Sequence, residues 1–326
     1  MRAVTVSDRS AGARGVSLGE VRYPHAAEND VIVQVLAAGF TPGEVDWPST
    51  WTDRAGRDRT PSVPGHEVSG VVTELGYGTT GLTIGQRVFG LTDWARDGTL
   101  AEYVAVEARN LAPLPAGIEY TTAAALPISG LTAWQALFDH GGVRAGQTVL
   151  IHGAAGGVGS IAVQLAFDAG ARVIGTGRAR DRELVRELGA EEFVDLQAGR
   201  FEEAGVVDVV IDLIGGDILT RSAALVRPGG TLVGIAEPPS APPERARAVF
   251  FVVEPDRHRL ADLAERVRSG RLRVFVGDVL PLDEAVAAFT HRSPGKTVVE
   301  VDDGRTESSR RNQADDPAVN ARLPAS

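Results

Sequence analysis

The chain has 326 residues, 43% of them hydrophobic, and a formal net charge of −10. That length and apolar content suit one large domain or two modest ones with a full core, and exclude wholesale disorder. The acidic balance argues against nucleic-acid and anionic-membrane partners, and the absence of cysteine excludes disulfides, thiolate nucleophiles and cysteine-ligated zinc.

Residues 1–118 read as β-rich. "DVIVQVLAAGF" (Asp30 to Phe40) alternates and then runs apolar, and "EVSGVVTELG" (Glu67 to Gly76) is β-branched and ends in glycine. "QRVFGL" and "LAEYVAVEA" are further short strands, with glycine and proline between them at the close spacing of a small barrel or sandwich. From Thr121 the pattern changes to helix, a break at Pro127, and a second helix ending at Gly141-Gly142.

From Gln147 strands alternate with helices. "QTVLIHG", "ARVIGTG", "EFVDL", "VDVVIDLIG", "GTLVGIA" and "LRVFVGDV" are strands, with helices predicted over 157–169 and 181–189. Such alternation predicts a parallel sheet with right-handed crossovers. "PLDEAVAAFTHR" is a helix and "GKTVVEV" a last strand; the polar, unpatterned tail 302–326 reads as disordered. No run approaches the roughly 18 apolar residues of a membrane helix, and no secretory signal follows Arg2. The expected compartment is the cytoplasm. Lysine occurs once, at Lys296; every other basic Lys or Arg side chain is arginine.

The stretch "IHGAAGGVGS" (Ile151 to Ser160) stands between a predicted strand and a predicted helix. It fits the dinucleotide fingerprint G-x-G-x-x-G with Ala154 in the first slot, then Gly156 and Gly159. Gly156 would admit a pyrophosphate to the backbone, Gly159 would let the helix pack close to its strand, and the helix N-terminus would face the phosphates. Ala155, Gly156, Gly157 and Val158 are therefore candidate cofactor contacts. The next strand ends at Gly177, where an NAD site usually carries an acid for the ribose 2′-hydroxyl. Arg178 and Arg180 follow. Glycine leaves room for a 2′-phosphate and a guanidinium grips one, which points to NADP(H). The alternative is a solvated charged face, with Asp181 and Glu183 as partners of the arginines.

Taken together, "AAGFTPGEVDW", "PGHEVSGVVTELG", "GLTAWQAL", "GQTVLIHGAAGGVGSIAVQLA", "VIDLIGG", "LVRPGGTLVGIA" and "GKTVVEV" resemble the medium-chain dehydrogenase/reductase superfamily, and most of all its zinc-free, quinone-oxidoreductase-like branch. The resemblance spans residues 1–301. It implies an α/β fold: a GroES-like β-rich domain over 1–118 with a return segment 281–301, a Rossmann doubly wound parallel sheet over 119–280, and a homodimer. It also implies reduction of quinones or of the C=C bond of α,β-unsaturated carbonyls.

Against the zinc-dependent relatives, the histidine ligand position matches His66, but the cysteine positions fall at Thr41 and Ser129. Hydroxyls are poor zinc ligands, so no metal is expected, and His66 and Glu67 read as structural polar residues at a strand start. Thr41 and Ser129 are the candidate catalytic groups, beside water. By family position Thr132, Ile235 and Ala236 flank the nicotinamide; Leu213 and Ile214 follow a strand end where such sheets bind ligands. Phe250, Phe251 and Val252 match the segment that closes over the nicotinamide ribose, with core packing as the alternative for the two rings. Trp47, Trp51 and Trp94 fall in loops and, with Phe40, predict a flat aromatic pocket for a quinone or a polyketide-like enone; anchoring a long loop is the alternative. Two other functions stay open: an NADPH-binding biosynthetic enzyme that reduces a ketone or performs a non-reductive step, and a non-catalytic NADPH-binding protein.

Overall fold

The computed structural model describes residues 1–290 and 295–301, so the tail 302–326 lies outside the described residues. The first lobe opens with the antiparallel pair β1 (Arg2–Val6) and β2 (Val16–Glu20). Its main strands are β3 (Asp30–Gly39), β4 (Glu67–Leu75), β5 (Arg87–Leu91), β6 (Tyr103–Glu107) and β7 (Leu111–Pro113), and the short helix α1 (Pro48–Trp51) lies in the long β3–β4 connection. Helices α2 (Tyr120–Ala124) and α3 (Pro127–Trp134) lead out of this lobe; α3 runs on as a π turn through His140, and the chain reverses at Gly141-Gly142.

The second lobe alternates β8 (Thr148–His152), α4 (Gly157–Asp168), β9 (Arg172–Gly177), α5 (Arg182–Glu187), β10 (Glu192–Asp195), β11 (Val207–Asp212), α6 (Gly216–Ser222), β12 (Val226–Gly234), β13 (Arg247–Phe250) and α7 (Arg257–Arg268). Its six strands are all parallel, in the order β10-β9-β8-β11-β12-β13. This is the doubly wound order, third-second-first-fourth-fifth-sixth, and it reverses between β8 and β11. Helices cover both faces, so successive residues of one strand enter different cores. Val149 and Ile151 pack with Leu131, Ile161 and Leu263; Leu150 between them packs with Phe201, Leu219 and Leu225.

The chain then returns through β14 (Val276–Pro281), α8 (Ala285–Ala288) and β15 (Lys296–Glu300). Both strands belong to the first sheet, ordered β14-β15-β3-β4-β5-β7, with β6 paired to β3. Two sequence expectations change here. "LRVFVGDV" contributes β14 to the first sheet, so the return crosses near Val276 and this strand is not part of the second sheet. Beyond "GTLVGIA" the second sheet gains a further strand, β13, which pairs with β12 and is not among the predicted strands. An apolar strand reads alike in either sheet; only its tertiary partner decides. No helix among the described residues is long and apolar enough to cross a membrane.

Candidate active site

The glycine loop sits at the reversal of strand order, where open parallel sheets bind ligands. Ala154 N–H donates to the Thr176 carbonyl at 2.9 Å and Gly156 N–H to the Gly153 carbonyl at 3.0 Å, which folds the loop under α4. A Cβ on Gly159 would stand 2.1 Å from the Gly153 carbonyl oxygen and 2.9 Å from Ala154 Cα, so only glycine allows this contact of helix and loop. A Cβ on Gly156 would meet nothing closer than 3.3 Å. The protein thus crowds position 156 far less than position 159 and leaves its backbone open to a ligand's approach. Gly156 is exposed, Ala155, Gly157 and Val158 are partly exposed, and no side chain caps α4. Those first-turn N–H groups fit an anion.

At the end of β9, a Cβ on Gly177 would lie 3.4 Å from the Phe193 ring and 3.6 Å from Asp181 Oδ2. Arg178 and Arg180 are exposed. Asp181 accepts from the Arg178 N–H at 3.4 Å and pairs with Arg180 Nε at 3.7 Å. A carboxylate therefore stands beside the end of β9 after all, reached from four residues beyond Gly177 and partly answered by Arg180.

The ends of β11 and β12 form the opposite wall. Asp212 is fully buried; its Oδ1 accepts from the Ile214 N–H at 3.1 Å and the Gly215 N–H at 2.6 Å, and burial pushes its carboxyl above the usual range. This turn lays Leu213 and Ile214 over the loop, within 3.5 Å of a Cβ on Gly153. Ile235 N–H donates to the Asp212 carbonyl at 2.9 Å, which puts Ile235 and exposed Ala236 beside the same turn. His152, one strand over, is clamped between Thr176 Oγ1 (2.9 Å) and Ser222 Oγ (2.8 Å), and burial drops its imidazole to about 3.

Beyond β13, Phe251 stacks on His140 at 4.3 Å and joins the core, while Phe250 and Val252 are exposed. The strap is fixed by Gln135, which hydrogen-bonds both backbone groups of Glu254, and by Trp94, whose Nε1 donates to the Val253 carbonyl at 3.3 Å.

In the first lobe, Glu44 organises the loop after β3. This fully buried carboxylate accepts from the Thr41 N–H and the Gly65 N–H, each at 2.8 Å, and meets His66 Nδ1 at 3.0 Å. His66 thus pairs with Glu44 and not with its neighbour Glu67. Its ring packs between Trp94 (4.7 Å) and Trp47 (6.0 Å), and the two indoles meet edge to face at 5.4 Å. Trp47 and Trp94 are partly exposed; Trp51 and Phe40 are not. Trp51 is buried with its Nε1 on the Val45 carbonyl, and Phe40 is buried against Phe289. Both belong to the first-lobe core and leave the expected aromatic pocket, because a closed ring has no face to offer a ligand.

The two lobes meet at Glu67. It is fully buried, and its Oε1 accepts from the Ile128 N–H at 2.8 Å, at the first turn of α3. Its Oε2 lies 2.5 Å from Lys296 Nζ, which also reaches Thr41 Oγ1 at 3.3 Å. Burial raises the Glu67 carboxyl, and Lys296 opposes that rise. Next to Ile128, Ser129 Oγ stands 3.2 Å from a Cβ on Gly157, and Thr132 is buried on the same helix. Thr41 and Ser129 are thus each linked to the Glu67–Lys296 pair, Thr41 by its hydroxyl and Ser129 through its neighbour Ile128. Among the described residues no three His, Asp or Glu side chains are grouped to hold a metal. Sequence reasoning missed Glu44, Gln135 and Asp212.

Comparison with known proteins agrees with this architecture. Residues 27–116 match the alcohol dehydrogenase GroES-like domain, and residues 188–299 match the zinc-binding dehydrogenase family. The chain is 32% identical over 300 residues to the chloroplastic NADPH-dependent alkenal/one oxidoreductase of Arabidopsis thaliana, covering 85% of this chain and 73% of that protein. It is 38% identical over 226 residues to the spectinabilin polyketide synthase system protein NorB of Streptomyces orinoci; the match covers 68% of this chain and only 10% of that longer protein. The quinone oxidoreductase structure from Coxiella burnetii superposes with a TM-score of 0.84 at 29% identity, covering 93% of this chain and 99% of that one. The chain belongs to the medium-chain dehydrogenase/reductase superfamily, in its quinone-oxidoreductase-like branch, with a GroES-like first domain and a Rossmann second domain. It is an oxidoreductase of that family built for a nicotinamide cofactor.

Proposed function

We propose that the protein is a zinc-independent, NADPH-dependent reductase of quinones or of the C=C bond of α,β-unsaturated carbonyls. One observation carries the reading: an uncapped, open α4 N-terminus at the strand-order reversal, beside a β9 end that has glycine at 177 and exposed Arg178. The α4 N–H groups would hold the pyrophosphate, and Arg178 and Arg180 the 2′-phosphate. When bound, the cofactor supplies a hydride.

The protein's own part is position. Trp47 and Trp94 present partly exposed rings to a flat acceptor. Thr41 and Ser129 offer hydroxyl donors to the acceptor oxygen as it gains charge. Neither hydroxyl replaces a zinc thiolate, so an electron-poor acceptor suits this donor set better than an alcohol. The similarity to a segment of a polyketide synthase system protein supports an enone on a polyketide-like chain. We further propose a cytoplasmic homodimer with no nucleic-acid or membrane partner. Strand β13 supports the dimer, since its outer edge is largely exposed.

The test is NADPH oxidation with 9,10-phenanthrenequinone and with a conjugated enone, before and after dialysis against a zinc chelator. Stoichiometric oxidation unchanged by the chelator is expected. Binding without oxidation of either acceptor would favour the non-reductive or non-catalytic readings.

A further inference from the structure

We infer that Lys296 is a positioning residue that turns the Thr41 hydroxyl into a proton donor aimed into the cleft, and that it replenishes the proton Thr41 gives up. The inference deepens the reductase reading and rests on it.

The starting point is compositional. Of 33 Lys and Arg side chains, 32 are arginine and one is lysine. A guanidinium is broad and does not release its proton at working pH; an ammonium is a compact point charge that can. The one position that keeps lysine is buried in the seam between the lobes. Gly295, at φ +89°, turns the chain into β15, and Lys296 N–H donates to the Phe275 carbonyl at 2.9 Å.

The side-chain geometry sets directions. An ammonium only donates, so at 3.3 Å Thr41 Oγ1 is the acceptor. The Thr41 proton is then left to point elsewhere, and no acceptor for it lies among the described residues. Glu67, 2.5 Å from Nζ, holds the ammonium in place and ties it through the Ile128 N–H to the helix that carries Ser129. The charged group that faces Lys296 directly is Glu67 on β4, and Glu67 in turn feels the Glu44 carboxylate, which pairs with His66 in the turn after β3.

The acceptor C=C gains a hydride at its β-carbon, the nicotinamide being oxidised. The resulting enolate takes the Thr41 proton at its oxygen, forming the enol O–H as the Thr41 O–H breaks, and the enol becomes the ketone by losing that proton to water and gaining one from water at its α-carbon. Thr41 takes a proton from Lys296 Nζ, and the neutral amine takes one from water.

Because the chain has a single lysine, protein grown with ¹⁵N-lysine carries one Nζ signal, readable without cofactor. Thr41→Val, which leaves the ion pair intact, is expected to shift that signal. It should also lower kcat with a conjugated enone about 100-fold while NADPH affinity stays within about twofold. Lys296→Arg keeps the charge and should lose kcat to the same extent. The Thr41→Val/Lys296→Met double variant should be no slower than the slower single variant. An unmoved Nζ signal, or Lys296→Arg with kcat within about twofold of wild type, would overturn the inference. Wild-type protein that binds NADPH but reduces no enone or quinone would overturn the reductase reading, and the proton assignment with it, even with the Nζ shift intact.

Discussion

Gln135 and Glu254 hold each other by two hydrogen bonds: Gln135 Nε2 donates to the Glu254 carbonyl at 2.7 Å, and Glu254 N–H donates to Gln135 Oε1 at 3.1 Å. The amide reads like one more backbone strand partner, and it fixes the strap after β13 against α3. Gln135→Leu keeps the size and loses both bonds. Unfolding free energy from urea melts should fall by about 1–3 kcal/mol. NADPH affinity should fall with it, since the strap borders the proposed site; unchanged affinity would take the strap out of cofactor binding.

The glycine loop separates two demands. Gly159→Ala would drive a methyl into the Gly153 carbonyl, and should cost about 1–3 kcal/mol or more of stability as well as cofactor binding. Gly156→Ala sets its methyl 3.3 Å from the Gly153 carbonyl oxygen, a contact a small shift relieves, so its melt should move far less than that of Gly159→Ala while NADPH binding is lost. A Gly156→Ala protein that binds NADPH normally would place the pyrophosphate elsewhere.

Cofactor choice turns on Arg178 and Asp181. Arg178→Ala should weaken NADPH about 10–100-fold and leave NADH within about twofold, the size expected for a lost charge-assisted contact. Asp181→Asn removes a carboxylate beside Gly177 and should strengthen NADPH by about 2–5-fold through relief of like-charge repulsion. Equal changes for both cofactors in Arg178→Ala would remove the arginine from the 2′-phosphate.

His152 makes stability depend on pH. Its folded-state pKa, about 3, lies below the ordinary 6.5, so folding favours the neutral ring. Its contribution is complete above 6.5 and is lost as pH falls toward about 3. Between pH 7.5 and 5 this one group should cost about 2 kcal/mol. Glu67 and Asp212 act in the opposite sense, because burial raises their carboxyls and the folded state then binds protons more readily. Comparing wild type with His152→Gln isolates the histidine: the variant should lose less stability over that range. Parallel pH curves would contradict the assignment.

Much of this was legible in the residues, for a physical reason. Period-two and period-3.6 patterns are local, so β8, α4 and β9 and the glycine loop could be placed from "QTVLIHGAAGGVGSIAVQLAFDAGARVIGTG" alone. What escaped depends on distant partners. Glu44, Gln135 and Asp212 are buried polar groups whose work is to satisfy backbone N–H groups and carbonyls, and nothing in their own neighbourhood announces that. His66 and Glu67 are adjacent in "PGHE", yet strand alternation sends them to opposite faces, one to Glu44 and the other to Lys296. Trp47 and Trp51 are four residues apart; one lines the His66 stack and the other fills the core, a difference of side-chain direction that spacing does not encode.

The central claim, a cleft that binds NADPH and passes its hydride to a flat acceptor, is tested most directly by titrating the wild-type protein with NADPH and NADH while following nicotinamide fluorescence, then adding 9,10-phenanthrenequinone. The account predicts tight NADPH binding, weak NADH binding and loss of the signal when quinone is added. Failure to bind either dinucleotide would contradict the reading of the glycine loop and the function built on it.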